Sequence, residues 1–143
     1  MRNPILAPIL TLVLSLAISA LAQSPETFKT RLAPVAMDAA MKSTIAGTGA
    51  ATATLTGTKF TVSGTFEGLK SNATMAHIHQ GSAPGVRGPK LLDLTVTKSM
   101  SGTLSGSFDL TRDQIESLKK GKWYVQIHSE KAPEGNLWGW LLP

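Results

Sequence analysis

The sequence predicts an all-β fold, an antiparallel, Greek-key-like β-sandwich of about eight strands with one short helix before the penultimate strand. Three observations carry this. From Gly47 onward Thr, Val, Ala, Leu, Ser and Gly alternate with a period of two. Turn residues recur at spacings near ten, as in sandwiches and barrels. One stretch, Thr111 to Lys122, breaks the alternation and carries helix signals instead.

At the N-terminus, Arg2 precedes an apolar run from Ile5 to Leu21 and the small-residue ending Ala20-Leu21-Ala22. That is the pattern of a secretory signal peptide cut after Ala22. The polar Thr11, Ser15 and Ser19 interrupt the run, which argues against a membrane anchor. Residues 1–22 are therefore read as a signal peptide and residues 23–143 as a single domain, secreted or periplasmic and free of the membrane after cleavage.

"TFKTRLAPVAM" reads as a weak first strand. "APVAMDAAMKSTIAGTG" has the Ala and Met content of a helical turn and is the least determined part of the chain. The following strands are "GTGAATATLTG", "KFTVSGTFEGL", "MAHIHQ", "KLLDLTVTK" and "SGTLSGSFDL". In "KFTVSGTFEGL" Phe60, Val62, Gly64, Phe66 and Gly68 share one face and Thr61, Ser63, Thr65 and Glu67 the other, so one side is core and the other wet.

"TRDQIESLKKGK" has Thr111 as N-cap, Gln114 to complete a capping box, Ile115 and Leu118 on one side and Gly121 as a stop. This predicts a helix of about two to three turns. The strand "KWYVQIHS", a turn at "EKAPEG" and the strand "NLWGWLLP" complete the chain.

Composition excludes several chemistries. Cysteine is absent, which removes thiolate ligands, a cysteine nucleophile and disulfides. The net charge of +5 becomes +4 without Arg2, and its lysines and arginines are scattered. The one cluster, "SLKKGK", suits a helix C-terminus and lacks the aromatics of a nucleic-acid surface, so no nucleic-acid partner is expected. There is no Gly-x-Ser-x-Gly elbow, no recognisable carboxylate pair and no phosphate-loop lysine. The glycines of "QGSAPGVRGP" serve a turn. Trp123, Trp138 and Trp140 suit either a sugar-stacking platform or a core.

The three histidines are the informative residues. Alternation puts His77 and His79 on one face of "MAHIHQ", opposite Ala76, Ile78 and Gln80, and it groups His128 with Tyr124 and Gln126, opposite Trp123, Val125 and Ile127. A His-x-His pair offers two nitrogens about 7 Å apart along the backbone. If the two strands are neighbours, His77, His79 and His128 converge as three candidate metal ligands, suited to copper or zinc with one open position. The same placement also suits hydrogen bonds from each ring to a loop carbonyl with no ion.

"AHIHQGSAPGVRGPKLLDLT" and "GSFDLTRDQIESLKKGKWYVQIHSEKAPEGNLWGWL" together resemble the chordin-type (CHRD) domain. The shared motifs are Ala-His-Ile-His, a Gly/Pro loop, a hydrophobic strand, a Leu-Thr-initiated helix, a Tyr-Val-x-x-His strand and a Pro-x-Gly-x-(Ile/Leu)-x-Gly-x-Leu ending. The resemblance runs from about Phe28 to Leu142. It implies an extracellular or periplasmic β-sandwich module that binds a protein or polymer ligand, with no established enzyme activity. The chain departs from the family at "APVAMDAAMKS", where a Glu-Val-Pro-Pro-type segment is common, and at Trp138 and Trp140, where smaller or polar residues are usual.

The order His-x-His, glycine-rich loop, Val-x-x-His is also similar to the copper ligands of the copper-zinc superoxide dismutase sandwich. That likeness assigns copper to His77, His79 and His128. The bridging histidine, the zinc-site residues and the disulfide of that family are missing here, so dismutase activity is not implied with it. The leading expectation is a non-catalytic CHRD binding module holding copper, or zinc, through these histidines. A copper-dependent oxidoreductase and a metal-free adhesion module are the competing expectations.

Overall fold

The computed structural model describes residues 23–143, and the signal peptide assigned to residues 1–22 lies outside them. The strands are β1 (Glu26–Pro34), β2 (Thr48–Thr56), β3 (Lys59–Glu67), β4 (Ala73–Gln80), β5 (Lys90–Val96), β6 (Gly102–Asp109), β7 (Trp123–Ser129) and β8 (Ala132–Trp140). The helix α1 (Arg112–Lys119) precedes β7, the penultimate strand, as expected. All strand pairs are antiparallel.

The expected sandwich is corrected to a closed barrel with strand order β1-β2-β3-β6-β5-β4-β7-β8. Two strands account for the closure by dividing their length between neighbours. β1 pairs with β2 from Glu26 to Leu32 and then with β8 through Ala33 and Pro34. β5 pairs with β4 from Lys90 to Leu94 and then with β6 through Thr95 and Val96. At these two places a sandwich would leave open edges; here their backbone groups are paired.

Alternation determines the core. Phe28 and Leu32 of β1, Ala53 and Leu55 of β2, Phe60, Val62 and Phe66 of β3 and Leu104 of β6 all point inward and are buried. They meet Ile78 of β4, Val125 and Ile127 of β7 and Leu137 of β8 in one cluster. Burying each large apolar side chain contributes about 1.5–3 kcal/mol. Thr61, Ser63 and Thr65 are exposed, as the alternation requires. Gly68 instead lies past the end of β3, at φ +74°.

The helix forms as its signals predict. Thr111 accepts from the Gln114 N–H, the Gln114 side chain accepts from the Thr111 N–H, and Gly121 at φ +69° ends the turn that follows. Leu118 is fully buried, with Ile115 packed at the edge of the core. Trp123 meets Phe60 edge-on at 5.5 Å, and its Nε1–H lies 3.0 Å from Ser117 Oγ and 3.1 Å from Gln80 Oε1. These contacts tie α1, β4 and β7 together at one end of the barrel.

Between β1 and β2 the chain makes only a single 3-10 turn, Met41–Ser43. Val35 and Ile45 anchor this segment in a small second cluster with Ala132, against which Met41 and Trp138 pack. The turn expected at "EKAPEG" is tighter than that, because Ser129 pairs with Ala132 and only Glu130 and Lys131 lie between them. The rest of that segment belongs to β8, where the register shifts between Ile127 and Ser129 so that Pro133 to Asn136 oppose His128 alone. Such a bulge redirects backbone groups. It brings the Pro133 and Glu134 carbonyls over the outer face of β7, where they accept from His128 and Gln126.

Candidate metal centre

β4 and β7 are neighbours in the barrel, with Met75 opposite His128, His77 opposite Gln126 and His79 opposite Tyr124. Ala76 and Ile78 are committed to the core, so His77 and His79 must project outward, as does His128 beside Ile127. The three imidazoles converge there. Their ring centroids are 5.0 Å apart for His77 and His128, 5.7 Å for His77 and His79, and 6.1 Å for His79 and His128. One nitrogen from each ring lies within 4.8 Å of the others.

The outer face of this sheet is covered. All seven residues of β7 are buried, so both of its faces are covered. Tyr124 lies beneath Trp138 and Trp140 at centroid distances of 5.9 and 4.5 Å. The two tryptophans are half-buried on this outer face, while Leu137 and Leu141 take the core positions. The Arg87 guanidinium sits 4.7 Å over the Trp138 ring. His79 stacks on Tyr124 at 5.0 Å with a 17° interplanar angle.

Each histidine directs one nitrogen at a protein oxygen. His79 Nδ1 is 3.0 Å from the Gly88 carbonyl oxygen, His128 Nδ1 is 2.8 Å from that of Pro133, and His77 Nε2 is 3.3 Å from Asp93 Oδ1. The hydrogen bonds to loop carbonyls that the sequence allowed are therefore present for two rings. They occupy only one nitrogen of each. His77 Nδ1, His79 Nε2 and His128 Nε2 are buried with no protein partner. A carbonyl or carboxylate on one ring nitrogen holds the proton there and leaves the other nitrogen's lone pair free, as in metal-ligating histidines.

Electrostatics favours the neutral rings. Burial is the main cause that lowers the pKa of both His77 and His79 below the usual imidazole value, and the neighbouring His128 lowers both further. Asp93 pulls His77 the other way, and hydrogen bonding to Gly88 does so for His79. Asp93 is exposed and held by Lys90 Nζ at 2.8 Å, which lowers its own carboxyl pKa. The His77 side chain retains 12% exposure, so the cluster opens toward solvent beside this carboxylate.

The sequence identified all three histidines but not their supports. Tyr124 was legible only as a residue sharing the His128 face. Gly88, Pro133 and Asp93 carry no spacing signal, because they reach the cluster by tertiary contact. A cavity of about 530 Å³ between α1 and the β2–β3 turn is lined by Leu55, Arg112, Ile115 and Lys119 among others and holds none of the histidines.

A closed antiparallel β-barrel with three imidazoles gathered on the outer face of β4 and β7 is the class that fold and site define. The chain belongs to the CHRD domain family, whose sequence model matches residues 29–141. No curated protein and no solved structure matches it.

Proposed function

We infer that this protein is an exported CHRD binding module whose three histidines hold a copper ion. The observation that supports this is the set of three unpartnered, buried nitrogens on His77, His79 and His128, each on a ring whose other nitrogen faces a protein oxygen. A buried polar atom left unsatisfied costs about 1–3 kcal/mol. Neutral lone pairs cannot bond to each other, and a shared cation would satisfy all three at once.

Fit and selectivity follow from ligand chemistry. Nitrogens about 2.0–2.1 Å from one ion lie at most about 4.2 Å apart. The separations here, within 4.8 Å, exceed that by about 0.6 Å at most, so the fit requires the rings to rotate toward the ion. Imidazole donors bind copper more tightly than other divalent first-row metals, zinc included. The family relation supports a binding role, and the absence of an acid, base or nucleophile pattern supports a non-catalytic one.

The test is titration of the purified protein with Cu(II) and Zn(II), alongside a variant carrying His77→Ala and His128→Ala. One copper per chain, lost in the variant, is expected. Absence of stoichiometric binding of either ion, or equal binding by the variant, would remove the metal from the reading. A superoxide assay on the loaded protein then separates a carrier from an oxidoreductase.

A further inference from the structure

The loop from Gly81 to Pro89 is attached to the histidine cluster at one residue, Gly88. Gly88 N–H donates to Tyr124 Oη at 3.1 Å, and the Tyr124 hydroxyl donates back to the Gly88 carbonyl at 3.1 Å. The same carbonyl faces His79 Nδ1 at 3.0 Å. A side chain cannot be accommodated there, since a Cβ on Gly88 would lie 1.8 Å from the Gln80 carbonyl oxygen. Beside it, Arg87 covers Trp138. The stem of the loop is fixed by Gln80 N–H to the Pro89 carbonyl and Gly81 N–H to the Lys122 carbonyl.

The geometry points to a metal-coupled strap. The His79 ring joins the two parts: its Nε2 is buried without a protein partner and so is free for an ion, and its Nδ1 faces the loop. An ion on Nε2 requires the proton to sit on Nδ1, which is the tautomer that donates to Gly88. Binding thus tightens the hold on Gly88, and through it on Arg87 and the Trp138 surface. The coupling is reciprocal, so a loop held by Tyr124 presents His79 to the ion in the correct tautomer and orientation. Tyr124 is accordingly a positioning residue for the site, acting through Gly88 and through its stacking on His79.

This inference rests on the copper reading above, and the experiment separates the two. Amide hydrogen exchange over residues 81–89 is compared with and without Cu(II) in the wild type, in Tyr124→Phe and in a His77→Ala, His128→Ala variant, together with copper affinity. Phe keeps the ring and removes only the hydroxyl. Expected are slower exchange in the wild-type loop on adding copper, a loss of that slowing in Tyr124→Phe, and copper affinity weaker by about 10-fold or more in that variant. In the wild type loaded with diamagnetic Zn(II) in place of Cu(II), ¹⁵N shifts of His79 should report a protonated Nδ1. Copper binding with unchanged loop exchange, or Tyr124→Phe binding copper as the wild type does, overturns the strap and leaves the site standing. A wild type that binds no copper overturns both.

Discussion

His77 and His128, 51 positions apart in the chain, bring their rings to 5.0 Å because β4 and β7 pair with Met75 opposite His128. The nitrogens that face protein oxygens are Nε2 on His77 and Nδ1 on His128, so those left without a protein partner are Nδ1 and Nε2 respectively. A ligand that binds the folded chain and not the unfolded one raises stability by mass action, about 2.7 kcal/mol when its concentration is 100 times Kd. Copper at that excess should raise the melting temperature by roughly 10 °C, given the few degrees per kcal/mol typical of this size. Calorimetry with and without a chelator checks this; an unchanged melting temperature at saturating copper would count against a site formed only in the folded state.

The metal-free protein should lose stability as pH falls from about 7.5 to 5. His77 and His79 have folded-state pKa values below the ordinary 6.5, so the unfolded chain binds more protons over this range and stability rises with pH. Their contribution is complete above the unfolded value and is lost as pH falls toward and through the folded values. Chemical denaturation across this range should show a shallower fall in a His77→Ala, His79→Ala variant. Identical slopes in the two proteins would contradict the assignment.

Replacing Trp123 by Phe should cost about 1–3 kcal/mol. Its indole N–H lies within hydrogen-bonding distance of Ser117 Oγ and Gln80 Oε1, and Phe leaves the buried Ser117 hydroxyl without that donor. Urea unfolding measures the difference. A loss below a few tenths of a kcal/mol would show that these bonds contribute little.

Leu118→Ala should destabilise by about 2–5 kcal/mol, since this fully buried side chain is the main attachment of α1 to the core. Thr111→Ala should cost about 0.5–2 kcal/mol through loss of the capping box. The two sites act on the same helix by different means, one through packing and one through its terminal N–H groups. Equilibrium unfolding of each variant should rank Leu118→Ala well below Thr111→Ala, and the reverse order would refute the packing account.

Much of the fold was legible because its rules are local. Period-two alternation put Phe60, Val62 and Phe66 inside and Thr61, Ser63 and Thr65 outside, and four residues of capping chemistry placed the start of α1 at Thr111. The same rule put His77 and His79 on one face and His128 on the face of Tyr124. Sequence motifs also pointed to the CHRD family, which the match over residues 29–141 shows.

What alternation cannot encode is which strands meet. The sandwich expected from strand count became a barrel because β1 and β5 each change partner partway along their length, and no local pattern marks Ala33 or Thr95 as the place where that happens. The covering of the outer face was likewise decided in three dimensions: the β8 bulge carries the Pro133 carbonyl to His128, and the folded-back loop carries the Gly88 carbonyl to His79. The sequence by itself determined which side chains could serve as ligands and on which face of each strand they lie. The tertiary structure decided that they converge and which oxygen holds each ring, because strand pairing and loop contact join residues whose separation along the chain leaves no periodic trace.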